Sequence, residues 1–486
     1  MRILRGVYEG PGSHGILRIA ASMRGVHAVL RAYPGEGDFP ALYAARTRTG
    51  ETPPVSLSPV HDYSDEPQGA GNPARDLSNI ARRHPEAQVL LFARSEAALL
   101  SGEGSPILAL PENRESAPAP KLVLCEWESP TIRELEAADL ALAELVRAYA
   151  RRQPKSLTPT VNIFGPPVFG PNAAAEVTEV ERILHLIGVD VNVRAPFGAT
   201  VEDLWRLPRA WANVVLYREA GESASLHLQD EFGMSRVTTP PIGSVGTGAM
   251  LRTVGELCSL DPKEVQRAGW AELARTAKLP WYARLERPET FQGRRAVIFG
   301  DLTYTTGLGY TLAREVGLEV TWAGTYLTHL EKDFLFHAGT FTDEAFVTDD
   351  PEDVAARVEA ARPDLLVGTH LEKEVADALG VHFLPFCPPI VEHPFTERPL
   401  MGYAGSSVLA DVFNSVLLKP PAKGPRREPS QEAEAAQEPE WTEEALEELE
   451  EIPAFLRGRA RRLAEEHARA LDSPEVTPEI LEESRF

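Results

Sequence analysis

Two carboxylates, Glu36 and Asp38, stand on a short glycine-framed loop in the stretch VLRAYPGEGDF, directly after the first hydrophobic segment. Pro34 and Gly35 close an apolar, β-branched run, so the loop is expected to be a turn at a strand exit. Carboxylates held there could ligate a metal or face solvent. Glu286, in WYARLERPETFQGRRAVIFGD, could donate a proton if desolvated, or lie on the surface beside Arg284 or Arg287. His14 opens an expected helix in GSHGILRIA, and His370 stands at the strand exit VGTH. PIGSVGTGAMLRTV is glycine-rich ahead of a helix, where free backbone N–H groups could hold an anion or the glycines could simply turn the chain.

Several chemistries are excluded by what is missing. The 3 cysteines, Cys125, Cys258 and Cys387, form no CxxC pair, and they are too few for the four thiolates that usually hold an iron–sulfur cluster. No GxxxxGK[ST] or HExxH motif occurs, which argues against a P-loop ATPase and a zinc protease, and VIFGDLTYTTGLGY has no GxGxxG spacing, so its dinucleotide signal is weak. A net charge of −23 opposes phosphate-backbone binding. The run from Glu428 to Glu451 carries no Lys or Arg and reads as a solvated linker and helix face. The N-terminal residues lack a signal-peptide core, and no apolar run approaches a membrane span, so a cytoplasmic, reducing location is expected.

Positioning falls to a repeated rhythm of strand, glycine-rich loop and amphipathic helix. PEAQVLLFA, TPTVNIFGP, VDVNVRAPFG, WANVVLYREAG, RRAVIFGD and RPDLLVGTH read as buried strands followed by helices. That pattern predicts an α/β protein with three Rossmann-like parallel-sheet domains, over residues 1–153, 154–280 and 281–418. An acidic Pro/Glu/Ala linker over 419–440 and a small C-terminal helical domain over 441–486 follow. Long loops are expected between Tyr33 and Gly71. Ligands of such sheets lie beyond the carboxyl ends of strands, which brings Glu36 and the loops after VNIFG, VVLY, VIFGD and LLVGTH to the fore.

Several stretches together resemble the B subunits of light-independent (dark-operative) protochlorophyllide reductases, within the nitrogenase-like family. They are YEGPGSHGILRIAASMRGVHAVL, VNIFGPPVFGPNAAAEVTEVERILHLIGVDVNVRAPFGAT, NVVLYREAGESA, PWYARLERPETFQGRRAVIFGD, RPDLLVGTHLEKEVADALG and PLMGYAGSSVLADVF, with the tail IPAFLRGRARRLAEEHARAL and VTPEILEESRF. The resemblance implies an N2B2 heterotetramer with an N-type subunit and a [4Fe–4S] cluster at the subunit interface. The partner would give three cysteines and this chain one carboxylate. A separate homodimeric ATPase would deliver the electrons that reduce a C=C bond of a tetrapyrrole.

Counted without gaps from YEG, Glu36 falls where the family has its cluster aspartate, with Asp38 as a second choice. Oxygen ligation should change the cluster's potential relative to thiolate. The resemblance implies a proton supply from a pocket acid, with Glu286 as the catalytic candidate, or from the substrate's own carboxylate, and His14 and Glu374 as substrate-binding residues. Three positions depart from the family. Arg287 stands at the family's proton-donor aspartate, LFARSEAALL replaces a cysteine-bearing loop, and Glu374 replaces a histidine. The expected activity is ATP-dependent protochlorophyllide reduction. Reduction of another tetrapyrrole and non-catalytic tetrapyrrole binding or scaffolding stay open as alternatives.

Overall fold

The computed structural model describes residues 7–36, 54–60, 72–100, 120–127, 131–165, 172–276, 291, 293–389, 398–417, 440–451, 460–461, 464–465, 467–468, 471 and 473–483. The chain forms two compact units, one of Glu9–Thr239 with Met250–Ala268, the other of Met1–Tyr8, Pro240–Ala249 and Gly269–Phe486.

The first of these units holds two parallel sheets. Strands β1 (Val26–Ala32), β2 (Val55–Pro59), β3 (Val89–Arg94) and β4 (Lys121–Cys125) form one sheet in the order β2-β1-β3-β4. Every residue of β1 is buried, as expected of a strand covered on both faces. β2 falls within the stretch expected to be loop. Its sequence VSLSP is too short and polar to announce a strand, but it pairs in register with buried β1 at the sheet edge, where its terminal Pro59 is tolerated. Strands β5 (Thr160–Phe164), β6 (Asp190–Ala195), β7 (Ala212–Val215) and β8 (Ser235–Val237) form the second sheet in the order β6-β5-β7-β8.

One apolar cluster joins these layers. It includes Ile16 and Ile19 of the helix Gly12–Ser22, Leu91 of β3, Ala141 and Leu142 of the helix Glu134–Tyr149, and Phe164 of β5. Alanines 137, 138, 141 and 143 keep the latter helix narrow, and all four are buried. Gly15 completes the close crossing, since a Cβ there would stand 2.2 Å from the Glu134 carbonyl oxygen.

The other unit carries the third parallel sheet. Its strands are β9 (Arg295–Gly300), β10 (Glu319–Thr325), β11 (Ala345–Val347), β12 (Leu365–Val367) and β13 (His382–Leu384), in the order β11-β10-β9-β12-β13. The same unit contains the C-terminal module, in which β14 (Glu440–Trp441) pairs in parallel with β15 (Glu475–Val476) beside the helices Glu443–Glu451 and Pro478–Glu483. The strand pair adds to the helical content expected there, over a core of Leu449, Ala464, Ala468, Val476 and Leu481. No helix among the described residues is long and apolar enough to cross a membrane.

Candidate functional site

β1 lies inside the first sheet, with β2 on one side and β3 on the other. The chain therefore reverses its direction of winding between β1 and β3. A crevice beyond their carboxyl ends is where doubly wound sheets place ligands. Glu36 stands at that point. The chain leaves β1 through Pro34 and Gly35, whose φ of +98° is a left-handed conformation suited to glycine. The Glu36 N–H donates to the Tyr33 carbonyl at 3.2 Å, which closes the turn. The Tyr33 N–H donates back to Glu36 Oε2 at 2.6 Å. From the exit of β3, buried Ser95 donates its hydroxyl to the same oxygen at 2.8 Å. Two donors thus fix one oxygen of the carboxylate, while Oε1 makes no hydrogen bond among the described residues. Asp38 and Glu286 lie outside the described residues.

The residue after Ser95 reaches in another direction. Glu96 accepts the Ser13 N–H at 3.1 Å and the Ser13 hydroxyl at 3.2 Å. One loop therefore grips both Glu36 and the start of the helix that bears His14. His14 is partly buried. Burial pushes its imidazole below the ordinary value, against the opposing pull of Glu134 and Glu96. Glu134 accepts the Gly10 N–H at 2.9 Å and pairs with Arg18. Burial alone would raise its carboxyl, but Arg18 and His14 outweigh it and hold Glu134 below the usual range.

The third sheet also reverses its winding, between β9 and β12. There the Tyr8 hydroxyl donates to Glu372 Oε1 at 2.6 Å. The N–H and hydroxyl of Thr369 donate to Oε2 at 2.6 and 2.8 Å. Tyr8 stacks on Tyr326 at 5.1 Å and meets Phe299 at 5.0 Å. Burial pushes the Glu372 carboxyl up, and it raises the Tyr8 phenol as well. Glu372 is the carboxylate that turns inward here, whereas Glu374 is exposed on the helix Lys373–Leu379. The signal for Glu372 is the spacing Thr-x-x-Glu, which forms a reciprocal cap in the structure. His370 donates its Nδ1 proton to the Pro389 carbonyl at 2.8 Å.

The glycine-rich start of the helix Gly243–Leu257 is taken by the chain itself. Glu315 Oε2 accepts the Ser244 N–H at 3.0 Å and its hydroxyl, and Oε1 accepts the Val245 N–H at 3.0 Å. An internal carboxylate thus serves as the anion at those backbone groups.

All three cysteines are buried and free, and burial pushes each thiol up, to about 11 for Cys258. Such thiols resist forming the thiolates that bind metal. Among the described residues no group of three or more His, Cys, Asp or Glu side chains converges to hold a metal ion. Among the described residues Glu36 is a single oriented carboxylate with one oxygen unbonded, which fits one ligand of a site whose other ligands come from elsewhere.

Comparisons with known proteins agree with this architecture. The Nitrogenase component 1 type Oxidoreductase family matches residues 104–418, and the Proto-chlorophyllide reductase 57 kD subunit family matches residues 441–485. The chain is 32% identical to the B subunit of light-independent protochlorophyllide reductase from Chlorobium limicola, over 100% of this chain and 99% of that protein. It is 30% identical to the protein of the same name from Heliobacterium modesticaldum, over 99% of this chain and 97% of that one. Among solved structures, nitrogenase Cp1 at pH 6.5 superposes with a TM-score of 0.68 at 15% identity, covering 86% of this chain and 94% of that chain. The last likeness shows a shared fold of several parallel-sheet α/β domains.

Proposed function

The chain belongs to the nitrogenase component 1 type oxidoreductases, and within them to the light-independent protochlorophyllide reductase B subunits, and from that premise we propose that it reduces a C=C bond of protochlorophyllide as one part of an N2B2 heterotetramer. In this reading an N-type subunit supplies three cysteines to a [4Fe–4S] cluster at the interface, and Glu36 supplies the fourth ligand. A separate homodimeric ATPase is the electron donor, and the assembly works in the cytoplasm. The observation that carries the reading is the Glu36 carboxylate at the winding reversal of the first sheet, with Oε2 held by Tyr33 and Ser95 and Oε1 left without a hydrogen bond among the described residues.

The cluster, when bound, supplies electrons one at a time at low potential. This chain's residues do the rest. Glu36 presents a hard oxygen ligand, oriented before the cluster arrives by the Ser95 hydroxyl and the Tyr33 N–H. His14, whose imidazole burial pushes below its ordinary value against the pull of Glu134 and Glu96, is assigned a substrate-binding role. Glu374, exposed on its helix, is assigned a substrate-facing role, and Glu286 is the acid of the reading.

The test is to purify the full chain with its N-type partner without oxygen and supply the ATPase, ATP and protochlorophyllide. Loss of protochlorophyllide absorbance with appearance of the reduced pigment supports the reading. Arg287 at the family's aspartate position and Glu374 at its histidine favour a second reading, in which another tetrapyrrole is the substrate. A well-formed complex that ignores protochlorophyllide and reduces a related tetrapyrrole would establish that second reading.

A further inference from the structure

Residues 151–157, RRQPKSL, lead from the helix Glu134–Tyr149 toward β5 and carry three cations and no acid, in a chain of net charge −23. The fold pins this segment against the start of β7. Gln153 Nε2 donates to the Trp205 carbonyl at 2.7 Å, the Ser156 N–H donates to the Arg209 carbonyl at 2.9 Å, and Trp211 Nε1 donates back to the Ser156 carbonyl at 3.0 Å. Yet Leu157 is 100% exposed, and Trp205, on the helix Val201–Arg206, is 51% exposed. Two large apolar side chains thus stand in water on a backbone that is held in place.

Cations lie beside them. Arg151 and Lys121 both donate to the Ala148 carbonyl at 2.8 Å, Arg152 donates to the Glu231 carbonyl at 3.1 Å, and Lys155 donates to the Ala210 carbonyl. Arg209 is exposed. Among the described residues none of these five pairs with a carboxylate. The nearby acids are engaged elsewhere: Asp203 pairs with Arg206, Glu202 accepts the Gln88 amide at 2.7 Å, and Glu231 gives Arg152 only its carbonyl. Capping of helix ends accounts for Arg151 and Arg152. It does not account for Arg209, nor for Leu157 and Trp205 left in water.

We propose that this patch, at the amino ends of β4, β5 and β7, docks the chain on an anionic lipid surface. Leu157 and Trp205 enter the interface, and the five cations lie at the level of the headgroups. A protein partner would need a pocket cut to a fully projecting leucine, whereas a bilayer yields to one. Charge selects anionic lipid, because the carboxylate excess over the rest of the chain repels it. Glu36 stands beyond the carboxyl end of β1, and β1 runs parallel to the other strands of its sheet, so docking through the amino end of β4 leaves that crevice open. The docking goes beyond the reductase reading and does not rest on it.

The test is co-sedimentation of the full chain, alone and in complex with its N-type partner, with vesicles of phosphatidylcholine and phosphatidylglycerol, set against vesicles of phosphatidylcholine alone. Binding to the anionic vesicles only is expected, lost in about 1 M salt, where charges are screened within about 3 Å. Arg209→Glu changes the charge by two units and should weaken binding about tenfold or more. Leu157→Ser should weaken it about threefold. Both side chains are exposed and make no hydrogen bond among the described residues, so thermal unfolding and any turnover without vesicles should match wild type. Equal binding to both kinds of vesicle, binding to neither, or wild-type affinity in either variant overturns the proposal. Binding by the free chain that disappears in the complex assigns the patch to the partner subunit and also overturns it. Should no N-type partner co-purify, the reductase reading fails, and the full chain alone decides the docking.

Discussion

The Ser95 hydroxyl donates to Glu36 Oε2 at 2.8 Å and so ties together the carboxyl ends of two neighbouring strands, β1 and β3, at the reversal of winding. Ser95 also accepts the Ala98 N–H at 3.2 Å, which caps the short helix Glu96–Leu100. Ser95→Ala removes both bonds and is expected to cost about 1–2 kcal/mol, measured by urea unfolding of the full chain. The same variant leaves Glu36 held by Tyr33 alone. Its complex should keep the reduced cluster's EPR signal with broadened lines, whereas unchanged lines would show that Ser95 does not orient the ligand.

Tyr8 and Glu372 form a buried pair in which Oε1 has the phenol as its donor. Tyr8→Phe preserves the ring stacking on Tyr326 and Phe299 and removes only the hydroxyl. It should destabilise the chain by about 1–3 kcal/mol, the cost of a buried acceptor left without its partner. A midpoint equal to wild type in chemical denaturation would show that the stacking, not the hydrogen bond, anchors the N-terminal segment.

Glu315 occupies the backbone groups of Ser244 and Val245. Glu315→Ala strips the helix start of its internal acceptor and should cost about 2 kcal/mol or more. Burial raises the Glu315 carboxyl despite its three donors, so Glu315→Gln should cost less than Glu315→Ala. Equal losses in thermal unfolding would rule out a hydrogen-bonding role for the retained oxygen.

Asp139 accepts the Ser223 N–H through both oxygens, at 3.1 and 3.0 Å, where Gly221 gives the helix Glu222–Phe232 no side-chain cap. Burial raises Asp139 to about 7, outweighing the donors at Ser223. The folded state thus holds this proton more tightly than the unfolded chain. The associated stability is full below about pH 4 and lost as pH rises to about 7. Unfolding free energies of wild type and Asp139→Asn, taken from pH 4 to 8, should converge in slope above about pH 7 and differ below it. Parallel curves throughout would mean that Asp139 titrates normally.

The sheets are legible in the sequence because their strands are continuous apolar runs: VLLFA, VNIF and AVIFG can be little else between amphipathic helices. β2 is not, because VSLSP is a strand only by virtue of β1 beside it. Glu36 can be singled out from Pro34-Gly35 and from its position after the first strand, yet its orienting partner Ser95 lies 59 residues away and carries no local mark. Glu9 is hidden for the same reason: a glutamate in YEGPG looks like any turn residue, and the Leu135 N–H that it accepts lies 126 residues away. The glycine-rich PIGSVGTG leaves an anion or a plain turn open in the sequence, and in the structure its backbone N–H groups are taken by Glu315 of the same chain.

The central claim is that Glu36 ligates the shared cluster. The most direct measurement is low-temperature EPR of the full chain and its N-type partner, purified together without oxygen and reduced, for wild type and Glu36→Ala. A [4Fe–4S]+ signal in wild type that vanishes or shifts in Glu36→Ala is the predicted result. The same signal, at the same position and intensity in both, would remove Glu36 from the ligand set and contradict the account.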